Sequence, residues 1–97
     1  MAAFLIAHAT IHDPEAYAAY SAAATETIEP YGGSLTIRGA VNEVLEGAHD
    51  YKVMAVISFP DQASLKAWYA SDAYQALIPT REGVADITLI AYDEPPG

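Results

Sequence analysis

Hydrophobic and polar positions alternate along this chain in blocks of two different periods. From Ala3 to Ile11 (AFLIAHATI), Phe4, Ile6, His8 and Thr10 share one parity and Ala3, Leu5, Ala7, Ala9 and Ile11 the other. Alternation places the two sets on opposite faces of a strand, and both are largely apolar, which predicts a central strand covered on both sides. The period then lengthens. Asp13-Pro14-Glu15 starts a helix: Asp13 caps free amides, Pro14 suits the first helical position and Glu15 favours the positive end of the dipole. Tyr17, Tyr20, Ala24 and Ile28 recur at helical spacing as one apolar face, Pro30 ends the helix, and Gly32-Gly33 supplies the turn.

Ser34 to Glu46 reads as a long second strand, with Leu35 and Ile37 on one face, Ser34, Thr36 and Arg38 on the other, and a bulge at Gly39-Ala40. Gly47 to Asp50 reads as a hairpin loop. Lys52 to Phe59 (KVMAVISF) is a third strand, apolar on both faces and therefore also central. Asp61 caps a second helix with a large apolar edge of Leu65, Trp68 and Tyr69, beside Ala63, Ala67 and Ala70. Ser71 caps a further short helix whose inward face is Tyr74, Leu77, Ile78 and Arg81, and Pro79 kinks or finishes it. Ala85 to Tyr92 is the last strand, and residues 93–97 form a loose Pro-rich tail.

Strand, helix, strand, strand, helix, strand is the split βαβ pattern: an α+β, ferredoxin-like βαββαβ antiparallel sheet with helices on one face, here a single domain over residues 1–92. Two helices cover one sheet face only. The two doubly apolar strands need a second cover, and a partner's sheet is the simplest one, so the pattern predicts a homodimer joined through sheet faces.

Composition narrows the partners. Thirteen acids against four bases give a net charge of −9. Nothing supplies the basic stripe that nucleic acid requires, and anionic membranes are disfavoured for the same reason. No apolar run approaches the ~20 residues of a membrane span, and the N-terminal segment reads as a strand because it has no basic leader. The chain has no cysteine, which excludes disulfides and thiolate chemistry and favours a reducing, cytoplasmic setting. The three histidines lack metal-ligand spacing, so no metal is expected, and nothing favours a haem or any other cofactor.

Several pieces together — Tyr31-Gly32-Gly33, Arg38-Gly39, Glu46-Gly47, Phe59-Pro60, Trp68-Tyr69-x-Ser71 and Tyr74-Gln75 — resemble the domain of unknown function 1330 family over nearly the whole chain. The resemblance implies a dimeric α+β barrel, two ferredoxin-like subunits with facing sheets. It implies no single activity, since the wider superfamily includes cofactor-free monooxygenases, isomerases, decyclases, haem enzymes and stress-induced proteins. Ser58 stands where that family often has a glutamate, and Arg38-Gly39-Ala40 where it often has Arg-Gly-Gly. The resemblance therefore lends nothing to glutamate-based chemistry.

Candidate chemistry rests on few residues. Arg38 is one of two arginines and could clamp a substrate carboxylate or enolate; the alternative is an ion pair with a carboxylate such as Glu46. Arg81 could close the same pocket, or rest its stem on Tyr74 or Tyr92 with its head in water. His8 could act as a general base if its face looks into a cavity, and is otherwise a packed residue; His12 and His49 fall in loops. Tyr17, Tyr20, Tyr31, Trp68, Tyr69 and Tyr74 lie on or beside inward faces, either as pocket walls or as core. Two functions follow: a cofactor-independent enzyme or binder for a small aromatic or carboxylate-bearing metabolite, or a non-catalytic structural or regulatory homodimer.

Overall fold

The computed structural model describes residues 2–95, so Met1 and the end of the expected loose tail, Pro96 and Gly97, lie outside the described residues. Four strands form one antiparallel sheet: β1 (Ala3–Ile11), β2 (Ser34–Ala40), β3 (Val53–Phe59) and β4 (Ala85–Asp93), in the order β2-β3-β1-β4. The two doubly apolar strands are the two central ones, as the pattern predicts. The sequence and the structure agree on a ferredoxin-like α+β fold.

The helices are α1 (Pro14–Ile28), α2 (Gln62–Ala70) and α3 (Asp72–Gln75). Their starts follow the caps in the sequence. The Ala16 amide donates to Asp13 Oδ1 at 3.1 Å and the Ser64 amide to Asp61 Oδ1 at 2.7 Å. That Ser64 amide holds the Asp61 carboxyl below its usual range. Ser71 Oγ accepts from the Tyr74 amide at 3.3 Å and starts α3. The short helix stops at Gln75, and Pro79 sits in a separate 3-10 turn, Ile78–Arg81. Another 3-10 turn, Glu29–Tyr31, carries Pro30 after α1. Gly32 then takes φ +76, and a Cβ on Gly33 would lie 2.8 Å from Phe59 and 2.9 Å from Ile28, so the turn into β2 closes against the core.

All helices cover one face of the sheet. There Ala3, Leu5 and Phe59 meet Tyr20, Ile28, Leu65, Trp68 and Tyr74 in the buried core. The opposite face carries Phe4, Ile6, His8, Met54, Val56, Ile90 and Tyr92, which alternate with the core residues in register. Phe4 stacks on Tyr92 at 5.1 Å between ring centres, and Ile90 and Tyr92 are each 38% exposed. The molecule is a slab of 33 × 31 × 16 Å, one sheet and one helix layer thick.

The second strand departs from expectation twice. It ends at Ala40 rather than Glu46, and residues 41–52 cross to β3 as an exposed irregular segment. The Val41 amide still donates to the Lys52 carbonyl at 2.8 Å, but Val44 and Leu45 have no partner strand, so alternation alone could not hold them in a sheet. The bulge also falls earlier, between Leu35 and Ile37, while Gly39 and Ala40 pair regularly with Met54 and Val53. Thr36 is the extra residue, and its hydroxyl donates to the Val56 carbonyl at 3.0 Å. One inserted residue reverses parity beyond it. Leu35 opposes Ile57 and Arg38 opposes Ala55, both on the helix side, whereas Ile37 is turned to the open face and is 60% exposed.

Candidate functional site

Two clefts and a narrow passage separate the helix layer from the sheet. The first cleft, about 580 Å³, opens along β2 and is lined by Tyr17, Ala18 and Ser21 of α1, Arg38 and Ala40 of β2, and Val53 and Ala55 of β3. The Thr36 bulge aims Arg38 into it. Its Nη2 lies 3.5 Å from Ser21 Oγ, a long contact that leaves most of the guanidinium free. Among the described residues the only carboxylate ion pair is His12–Asp86, so the Glu46 pairing considered for Arg38 does not form. Burial pushes the Tyr17 phenol up, the neighbouring Tyr20 adds to this, and Arg38 pulls the other way. The cleft thus presents one unneutralised guanidinium, one hydroxyl and one phenol against an apolar wall. That set can hold an anionic oxygen and hydrogen-bond its neighbours.

From this cleft a passage of about 50 Å³ runs inward past Tyr20 and Leu35 to Trp68, Tyr74 and Leu89. It is closed by a phenol pair. Tyr20 and Tyr74 share a hydrogen bond at 2.7 Å, and Arg81 Nη1 donates to Tyr74 at 2.9 Å and to Tyr20 at 3.3 Å. Burial raises the Tyr74 phenol far above its usual range, and the hydrogen bond with Tyr20 adds to it. Burial opposes the charge of Arg81, but its hydrogen bond to Tyr20 and the surrounding phenols outweigh that, and its net shift is upward. The Trp68 ring lies 4.4 Å from that of Tyr74, and its Nε1 donates to Thr27 Oγ1 at 2.8 Å. Arg81 is half-buried and places one arm of its guanidinium, Nη1, on the two phenols; it does not meet Tyr92, which lies on the open face.

Beyond the phenol pair a second cleft of about 310 Å³ opens beside β4, lined by Leu65, Lys66, Trp68, Tyr69, Arg81, Ile87 and Leu89 among others. The single pocket expected from the sequence is thus several openings, of which these two border one narrow throat lined by Tyr20 and Tyr74. The first shares Tyr17, Ser21 and Arg38 with the throat, the second Leu5, Trp68 and Leu89. A further cleft of about 580 Å³ lies between Arg81, Glu82, Asp86 and Ile87. Tyr20 and Trp68 are in the core, Tyr69 is 44% exposed on the rim of the second mouth, and Tyr31 packs at the core margin.

His8 lies elsewhere. It pairs with Met54 and Thr88 in register and faces away from the helices. Its ring meets His49 at 5.3 Å and Tyr51 at 5.8 Å, brought over the open face by the 41–52 segment. Its Nδ1 is enclosed without a hydrogen-bond partner. Within one subunit the sheet separates His8 from Arg38, so the protic groups beside Arg38 are Tyr17 and Ser21. Sequence reasoning missed Ser21, Tyr17 as a polar neighbour of Arg38, and Lys66. Ser21 lies at i+4 from Tyr17, a spacing that places both on one side of α1. Among the described residues no group of three or more His, Asp or Glu side chains could hold a metal ion. No helix there is long and apolar enough to cross a membrane.

A family model described as "Domain of unknown function (DUF1330)" matches residues 2–94. No curated protein matches the chain. Among solved structures, a protein of unknown function from Rhodopseudomonas palustris superposes with a TM-score of 0.80 at 18% identity, over 99% of this chain and 84% of that one. The cofactor-independent oxygenase SnoaB from Streptomyces nogalater gives 0.72 at 9% identity, over 99% and 95%. A dimeric ferredoxin-like protein of unknown function from Jannaschia sp. CCS1 gives 0.67 at 14% identity, over 97% and 100%. At these identities the likeness is one of fold.

Proposed function

The chain belongs to the DUF1330 family, and on that footing we propose that it binds a small aromatic or carboxylate-bearing metabolite in the β2-side cleft, as a homodimer. One observation carries the binding reading: a bulge turns Arg38 into an apolar cleft where, among the described residues, no carboxylate neutralises it. In a chain of net charge −9, an arginine without an acidic partner is available to an external anion. Arg38 anchors the anionic group, Ser21 and Tyr17 hydrogen-bond beside it, and Ala18, Val53 and Ala55 contact the apolar body. SnoaB, of similar fold, works without a cofactor. That analogy supports a cofactor-independent reaction here, in which Tyr17 rather than His8 is placed to move a proton.

The homodimer reading rests on the open face, where Phe4, Ile6, Val56 and Ile90 form an apolar surface on a slab one helix layer thick. A facing sheet would bury roughly 800 Å² per subunit, and the Jannaschia protein of the same fold is dimeric. A cysteine-free chain suits the cytoplasm. The test is a thermal-shift screen of aromatic carboxylates and their neutral amides against the wild-type chain and Arg38→Ala. Stabilisation by the acids that Arg38→Ala abolishes is the expected result. Equal stabilisation of both proteins, or none by any acid, would overturn the reading.

The second reading, a non-catalytic structural or regulatory homodimer, is favoured by the phenol plug that fills the throat and by the separation of His8 from Arg38. It predicts an intact dimer that binds none of the acids.

A further inference from the structure

The second cleft carries chemistry of its own. Of the four lysines and arginines in the chain, two, Lys66 and Arg81, line this one opening of about 310 Å³. No carboxylate is among its lining residues, and neither cation has a carboxylate partner among the described residues. Arg81 spends Nη1 on the two phenols, whose neutral oxygens leave its charge uncompensated. Below the cations the wall is Leu65, Trp68, Ile87 and Leu89, an aliphatic and aromatic floor. Two positive charges at the rim of an apolar slot, on a protein of net charge −9, select a ligand with an anionic head and an apolar body.

We propose that the β4-side cleft is a second binding site, separate from the Arg38 cleft, for an amphipathic monocarboxylate: a medium-chain aliphatic acid or one of similar bulk. The carboxylate sits between Lys66 and Arg81, and the tail lies on Ile87 and Leu89 beside Trp68. The Tyr20–Tyr74 pair keeps the two sites apart and at the same time fixes Arg81 in place. The inference does not depend on the Arg38 reading, because the two clefts share no cation.

Trp68 is the only tryptophan and lines both this cleft and the inner passage, so its emission reports on either, and the Arg38→Gln arm tells them apart. The experiment titrates octanoate, and separately 1-octanol, into the wild-type chain, Lys66→Gln, Arg38→Gln and Ala91→Trp, the last placed to fill the slot and read by calorimetry. Melting temperatures of all variants are taken alongside. The expected result is a saturable change in Trp68 emission with octanoate and a weaker one with octanol. Lys66→Gln should weaken octanoate about fivefold, the order expected for one partly screened ion pair. Arg38→Gln should leave it unchanged, and Ala91→Trp should abolish it. The proposal is overturned by no saturable change, by octanol binding as tightly as octanoate, or by Arg38→Gln weakening octanoate as much as Lys66→Gln does. The last outcome would assign the ligand to the Arg38 cleft; loss of the Arg38 reading alone would leave the octanoate titration intact.

Discussion

On the helix-covered face of the sheet, Leu5 and Phe59 meet Trp68 and Tyr74 and are almost fully buried. One residue along the same strands, Ile6 and Ser58 belong to the other face, where Ile90 and Tyr92 keep more than a third of their surface exposed. The open face also carries large apolar side chains, Phe4, Ile6, Val56 and Ile90, but it interleaves His8, Ser58 and Thr88 among them and has no helix over it, whereas the covered face of the central strands is wholly apolar. The covered face is held by aromatic contacts, by the buried Tyr20–Tyr74 hydrogen bond and by the half-buried one from Trp68 to Thr27. On the open face the directional contacts, Tyr51 with Thr88 and Thr10 with the Asp50 carbonyl, come from the 41–52 segment; the apolar patch of Phe4, Ile6, Val56 and Ile90 offers mainly area, which suits association.

Truncating the covered face tests this contrast most severely. Trp68→Ala removes a buried ring and the partner of Thr27, and should cost about 3–5 kcal/mol, read from urea unfolding. Ile90→Asp on the open face should leave the isolated subunit folded while converting the proposed dimer to monomer, because the charge would be buried only in that assembly. Sedimentation velocity with circular dichroism separates the two effects; a folded dimer of the Asp variant would break the comparison.

Tyr74→Phe leaves the ring contacts and deletes one hydroxyl, so Tyr20 and Arg81 keep only their 3.3 Å bond to each other, for about 1–3 kcal/mol. It also changes the alkaline limb. The folded phenol ionises above its unfolded value of about 10, so the stability it contributes is present below that pH and is lost as pH rises beyond it. Thermal melts between about pH 9 and pH 11 should therefore fall less steeply for Tyr74→Phe than for wild type. The smallest effect belongs to the surface. His12 donates Nε2–H to Asp86 Oδ2 at 2.9 Å, but both are largely exposed, and His12→Ala should change stability by no more than about 0.5 kcal/mol. A larger loss would mean that this end of the sheet is held more tightly than its exposure indicates.

The candidate site was partly legible. Arg38 stood out as a scarce cation next to a glycine, and Tyr20, Trp68 and Arg81 by helical spacing. The direction of Arg38 was not legible, because it depends on a bulge at Thr36 rather than at Gly39. Nothing in an isolated Leu-Thr-Ile-Arg run marks which residue will fall out of register. Lys66 escaped notice because a lysine on an amphipathic helix ordinarily faces water, and only the neighbouring β4 wall turns it into a rim.

Local rules, then, were sufficient for the elements themselves. Side-chain capping by Asp13, Asp61 and Ser71, the positions of the prolines, and the two periods of apolar residues act over a few residues, so they can be read without knowing what lies opposite. Tertiary structure alone decided where β2 stops, which face receives Arg38, and that Arg81 ends on two phenols. Those outcomes depend on partners distant in the chain, Val56 for the bulge and Tyr20 for the guanidinium, and such pairings exist only once the sheet and helices have met.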